Sequence, residues 1–241
     1  MTKEYILEQL NKYCTFDDTL SDGTFYENIV RPLEDAGCFN GWGYENGATK
    51  GVLIFSDLDY VIKIPFCCCY YEEEGYYDDN YEWIVECEGG PGEMFGGIEV
   101  QGYIHNNEWD YCETEMYRYM DAEKAGMAEH FARTWLLGEV QSHPIYAQSR
   151  ASMFRSDDAY DSRSKKTYTK EDYDSADRVS KGKSFYVADE WLIDFIHYWG
   201  EERANQFAEF CDQEQIEDLH CGNIGYICGV PCLVDYSGFN N

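Results

Sequence analysis

Late in the chain stand two short runs suited to β-strands, Ile224 to Cys228 and Cys232 to Asp235, on either side of Gly229-Val230-Pro231. Turn residues between two such runs predict a β-hairpin, which returns the chain to its starting point. Asn223 and Asp235, twelve positions apart, therefore meet at the open end of that hairpin. Whatever the rest of the chain folds into has to enclose or expose that point.

Upstream, Val52-Leu53-Ile54-Phe55 and Tyr60-Val61-Ile62-Lys63-Ile64-Pro65, joined through Ser56-Asp57-Leu58-Asp59, predict another hairpin of β-branched strands. Two short packing helices precede it, one with Ile6, Leu7 and Leu10 on a face, the other with Ile29 and Leu33. The crowding of Tyr, Asp and Glu from Cys67 to Glu88 predicts an exposed insertion. Met116, Tyr119, Met127 and Phe131 recur at helical spacing between Tyr111 and Thr134, with Gly126 as the weak point. Pro144 to Gln148 is β-like. Phe185 to Trp199 is again helical and closes at Gly200, and Glu201 to Gln213 forms a further helix. A mostly β first part, ending near Gln148, and a mostly helical later part that carries the terminal hairpin are expected of the α+β class.

With 44% hydrophobic and 17% aromatic residues, the chain has material for a core despite its charge of −29. That charge repels nucleic acid and anionic lipid, so direct binding to either is not expected. It suits a basic protein partner, including one whose groove accepts a nucleic-acid mimic. Nine of the 18 cations fall between 149 and 183, against seven acids, which predicts an oppositely charged linker or lid. No apolar run approaches the ~20 residues of a membrane span. The polar start Met1-Thr2-Lys3-Glu4 is unlike a signal peptide, and the expected location is cytoplasmic. Eleven cysteines, an odd number, are read as reduced thiols. Cys221, Cys228 and Cys232 with His220 match no familiar zinc spacing.

Chemistry is concentrated around the terminal hairpin. Asn223 and Asp235 offer two oxygen ligands, enough for Mg²⁺, a hard cation usually held by one or two protein groups plus substrate phosphates. Asp218, on the preceding loop, is placed to orient an attacking hydroxyl and take its proton.

The string Asp218-Leu219-His220-x-Gly222-Asn223, followed by Leu233-Val234-Asp235 and Gly238, resembles the protein-kinase-like superfamily, in particular its aminoglycoside-phosphotransferase-type members. The resemblance implies ATP- and Mg²⁺-dependent phosphotransfer, with Asp218 as catalytic base and Asn223 and Asp235 as metal ligands. Val61-Ile62-Lys63 looks like the family's phosphate-binding lysine on a central strand, with Glu115 as its ion-pair partner and Glu113 as the alternative. His220 would shape the loop or contact phosphate, and Gly47 belongs to an irregular glycine-rich loop with Gly43 and Gly51.

The implied fold is two-lobed: an N-lobe over 1–148, a polar linker or lid over 149–183, and a reduced helical C-lobe over 184–241. Ile216 and Glu217 depart from the family's His and Arg. The chain also ends six residues after Asp235, so ordinary protein-kinase activity is not expected. A catalytically inactive pseudokinase, binding a basic groove through its acidic surface, is the alternative.

Overall fold

The computed structural model describes residues 1–47, 49–77, 83–85, 98–105, 111–156, 160, 164–183, 187–217 and 219–237, with the backbone alone given for 68–77, 83–85 and 98–105. The protein is a mixed α+β molecule whose central element is a five-stranded antiparallel sheet. Its strands are β1 (Trp42–Asn46), β2 (Lys50–Phe55), β3 (Tyr60–Pro65), β7 (Thr134–Val140) and β8 (His143–Ser149), in the order β1-β2-β3-β8-β7. A smaller sheet sets β4 (Cys68–Tyr77) between β5 (Trp83–Val85) and β6 (Ile98–His105), within and beyond the stretch read as an insertion.

Strand alternation divides the large sheet into two unlike faces. Leu53 and Phe55 of β2, Ile62 and Ile64 of β3, and Ile145 and Ala147 of β8 all turn to one side and are buried. Covering them are α1 (Lys3–Tyr13), through Ile6 and Leu10, and a helical rod made of α2 (Asp22–Phe25), a π turn (Tyr26–Val30) and α3 (Arg31–Ala36). The wide turn has a local cause. Pro32 lacks an N–H and crowds the carbonyl four residues back. That carbonyl, on Asn28, instead accepts the Thr15 N–H at 3.0 Å. Gly51 also serves this packing, since a Cβ there would meet the Phe25 ring at 2.2 Å.

α4 (Tyr111–Lys124) packs on the opposite face against β3 and β7. The helical stretch between Tyr111 and Thr134 breaks at its weak point: α4 stops at Lys124, Gly126 takes a left-handed conformation (φ +68°), and the Met127 N–H caps the Ala122 carbonyl at 2.7 Å. A single 3₁₀ turn (Ala128–His130) follows, and Thr134 onward is taken by strand pairing with β8.

The second core is built from α5 (Lys170–Ser180), α6 (Asp189–Trp199), α7 (Glu201–Gln213) and a three-stranded sheet of β9 (Ser152–Met153), β10 (Ile224–Ile227) and β11 (Val230–Leu233). Part of the cation-rich stretch is thus a helix, capped by Thr169 and Asp172. It buries Ala176 and Val179, while Arg178 pairs with Glu201 at 2.9 Å. Two small residues three apart are enough to dock it, yet too sparse to read as an apolar stripe. Trp191 is fully buried and donates its indole N–H to the Gly225 carbonyl at 3.0 Å, fastening α6 to the hairpin. The hairpin turn is Cys228-Gly229, both at positive φ (+52° and +82°), so β11 begins at Val230 rather than after Pro231. A two-residue turn of this kind matches strand twist, and Pro231 is tolerated because β11 is an edge strand. Among the described residues no helix is long and apolar enough to cross a membrane.

His130 is the anomaly of this core. Fully buried among the rings of Phe195, Trp199 and Phe207, it has no hydrogen-bond partner for either ring nitrogen. Burial, opposed by Glu129 at 3.7 Å and reinforced by Arg203, pushes its pKa down to about 4. The folded state therefore resists a proton that the unfolded chain accepts near pH ~6.5, and stability is lost as pH falls through that interval. Urea denaturation at pH 7 and at pH 4.5 is expected to show a loss larger by about 2–3 kcal/mol in the native protein than in His130→Leu.

Candidate functional site

The face of the sheet turned away from the first core carries Lys50, Val52 and Ile54 on β2 and Val61 and Lys63 on β3. The register sets Val52 opposite Lys63 and Ile54 opposite Val61. Both lysines thus lie toward the β1–β2 turn, and the aliphatic side chains lie farther along. A cavity of about 630 Å³ opens over this face. Its other walls are the β1–β2 turn with Gly47 and Thr49, the segment from Ser149 to Met153, the loop with His220, Gly222 and Asn223, and the chain after β11 with Val234, Asp235 and Ser237. The volume falls in the ~300–1,000 Å³ range of small-molecule sites.

Four charges meet at the polar end. Lys63 Nζ bonds both oxygens of Glu115, at 3.0 and 2.8 Å. Lys50 Nζ lies 2.5 Å from Glu115 Oε1, 2.9 Å from Asp235 Oδ1 and 3.3 Å from Ser237 Oγ. Thr134 Oγ1 and Gln148 Nε2, each 3.2 Å from Glu115 Oε2, complete the shell. Burial works against the Lys50 ammonium, but Asp235 and Glu115 outweigh it and hold its pKa above the usual lysine value. Asp235 shows the converse: burial opposes its charge, and Lys50 and Lys63 overcome this to hold its pKa well below the carboxylate range. Burial pushes the Glu115 carboxyl up against the pull of the same two lysines. With two ammoniums and two neutral groups at its oxygens, the ionised form is the one that satisfies this shell.

The terminal hairpin brings Asn223 and Asp235 to the same cavity wall, and the Asn223 carbonyl accepts the N–H groups of Val234 and Asp235 at 2.8 and 3.1 Å. Arg118 of α4 donates to the Tyr236 carbonyl, and the Tyr236 hydroxyl donates to Ala132 O at 2.7 Å, so the segment bearing Asp235 is tied on both sides. His220 lies on the cavity rim with its Nδ1 accepting the Gly222 N–H at 2.9 Å, which assigns the ring proton to Nε2. Gly222 leaves room for the ring in this position, since a Cβ would meet the His220 ring at 2.7 Å. Gly47 also lies on the rim and donates its N–H to the Lys50 carbonyl at 3.0 Å. Glu113, the alternative partner of Lys63, is exposed. Asp218 and Gly238 lie outside the described residues.

Lys50, Thr134, Gln148 and Ser237 belong to the site and went unread in the sequence. The signal for Lys50 was its two-residue spacing from Val52 and Ile54. It becomes decisive only once Val52 is known to face Lys63. Gly51, taken with Gly47 as part of a glycine-rich loop, turns to the other face and meets Phe25.

Asn223 and Asp235 line one wall of the cavity and are the residues there that could hold a hard divalent cation, and the Lys50 ammonium stands on Asp235 Oδ1. No family model, no curated protein and no solved structure matches this chain.

Removing Glu115 would leave two buried ammoniums short of a counter-ion. Glu115→Ala is expected to lower stability by about 3–5 kcal/mol. Glu113→Ala should stay within about 0.5 kcal/mol. Chemical denaturation of both variants checks the contrast.

Proposed function

We propose that the protein is a kinase-like phosphotransferase that takes ATP as phosphate donor. The observation that carries this reading is a cavity with an aliphatic slot, formed by Val52, Ile54, Val61 and Met153, leading to the Lys50, Lys63 and Asp235 cluster. A planar base suits the slot, and a polyphosphate suits the ammonium groups. An ion pair between a strand lysine and a helix glutamate, beside an aspartate that follows a hairpin, is the arrangement the kinase-like resemblance implies. An antiparallel sheet with its own core, and a second core of helices and a hairpin beyond the cavity, support a two-lobed kinase-like fold.

In this reading Lys63, held by Glu115, orients the phosphates, and Gly47 with Thr49 borders them from the β1–β2 turn. Asp218 is the proposed base for the acceptor hydroxyl. Asn223 and Asp235 would hold Mg²⁺, which when bound neutralises phosphate charge and polarises the transferred group. Exclusion of water falls to the closely packed Lys50, Lys63, Glu115 and Gln148, all buried. Remote carboxylates do not forbid an anionic ligand, because a Debye length of ~8 Å at physiological salt screens most of them.

Isothermal titration with ATP and Mg²⁺ is expected to show one site. Lys63→Met should weaken it by about 10- to 100-fold, the worth of a charge-assisted hydrogen bond. Asp235→Ala should abolish phosphate release or transfer. Absence of ATP binding, together with an Asp235→Ala variant unchanged in every assay, overturns the reading.

A further inference from the structure

The two lysines of the site are not equivalent. Lys63 bonds both oxygens of Glu115 and the Val234 carbonyl at 3.4 Å, so Glu115 is its one carboxylate partner, whereas Lys50 divides itself between two carboxylates, Glu115 and Asp235, and Ser237. Were Lys50 to leave, Glu115 would keep Lys63, Thr134 and Gln148, a complete shell for a carboxylate. Asp235 would keep the Ser237 hydroxyl, at 2.9 Å. Departure of Lys50 therefore frees one carboxylate in particular. That carboxylate is also the reachable one, since 27% of the Asp235 side chain is accessible against 0% for Glu115. Lys50 is suited to the motion: it is the first residue of β2, next to the turn, and its ammonium sits on a flexible four-carbon stem.

Charge gives the motion a direction. Two lysines balance two carboxylates in the ligand-free cluster. A divalent cation approaching Asp235 meets an ammonium already seated on Oδ1, and like charges repel. A polyphosphate brings negative charge that Lys63 alone cannot answer while it neutralises Glu115.

Resting on the polyphosphate reading of the cavity, we propose that Lys50 is a mobile phosphate-binding cation that occupies the metal position on Asp235 until a nucleotide polyphosphate draws it away. Binding is then ordered: nucleotide first, divalent cation at Asp235 second. The β2 lysine thereby becomes a ligand-binding residue of the site, distinct in role from Lys63.

The test uses Mn²⁺ as the probe, followed by electron paramagnetic resonance, and counts only the binding that Asp235→Asn removes, so that the acidic surface is subtracted. Without nucleotide, Lys50→Met is expected to bind Mn²⁺ at least about tenfold more tightly than the native protein. The native protein should recover that affinity when ATP is added, and metal-free ATP in EDTA should bind the native protein more tightly than Lys50→Met. Lys50→Gln serves if the methionine variant does not fold, and the comparison of the native protein with and without ATP needs no substitution of Lys50. Equal Mn²⁺ affinity with and without Lys50, while ATP still binds, overturns the ordering and leaves the nucleotide reading standing. A gain of Mn²⁺ in the variant with no ATP binding in either protein overturns both.

Discussion

The structure turns on a buried cluster of two lysines and two carboxylates: Lys50, Lys63, Glu115 and Asp235. Each comes from a different element, namely β2, β3, α4 and the chain after β11. Separated from one another, these groups would be costly to bury, because an uncompensated charge in a protein interior is among the most destabilising features a fold can carry. Together they offset each other, and Thr134 and Gln148 supply further donors. The cluster therefore constrains how the first core and the second core can approach. The sheet and α4 must meet for Lys63 and Glu115 to be tolerated, and the chain after the terminal hairpin brings Asp235 to Lys50.

Chemistry follows from the same constraint. A face built by strand alternation is apolar on the side of α1 and the helical rod, and carries Lys50, Val52, Ile54, Val61 and Lys63 on the other. The second face could have been filled by apolar side chains from α4. Glu115 is instead buried there, and the cavity remains beside it. The cavity thus joins an aliphatic slot to a buried cluster in which two ammoniums balance two carboxylates. Because Asp235 is partly accessible while Glu115 is sealed, the two carboxylates are fitted to different tasks: one anchors lysines, and the other can exchange its partner.

Much of the local structure was legible from periodicity. The helices around Ile6 and Leu10, the helix ending at Trp199, the helix from Glu201 to Gln213 and the strands around Val52 and Val61 each carry a pattern that neighbouring residues alone explain. The failures occurred where a distant partner decides. Thr134 to Val140 carried no strand reading, yet it is a strand because β8 offers a ladder. Likewise α5 docks through Ala176 and Val179, too few apolar residues to stand out among nine cations and seven acids between 149 and 183. At the hairpin, Pro231 reads as a turn residue, but the left-handed pair Cys228-Gly229 makes the turn and the edge position leaves Pro231 free to be a strand residue.

The sequence by itself determined that Asn223 and Asp235 converge, since a hairpin is a local structure whose ends meet whatever surrounds it. It also marked Lys63 as a lysine inside an apolar strand, and Glu115 as a carboxylate on a helix to come. Tertiary structure alone decided that Lys50 joins them, that Glu115 and not Glu113 faces the lysines, and that Gly51 serves Phe25 rather than the cavity. Strand alternation assigns residues to two faces without saying which face is the core. That choice is made when helices cover one side, and it depends on contacts spanning more than a hundred residues, which no local pattern encodes.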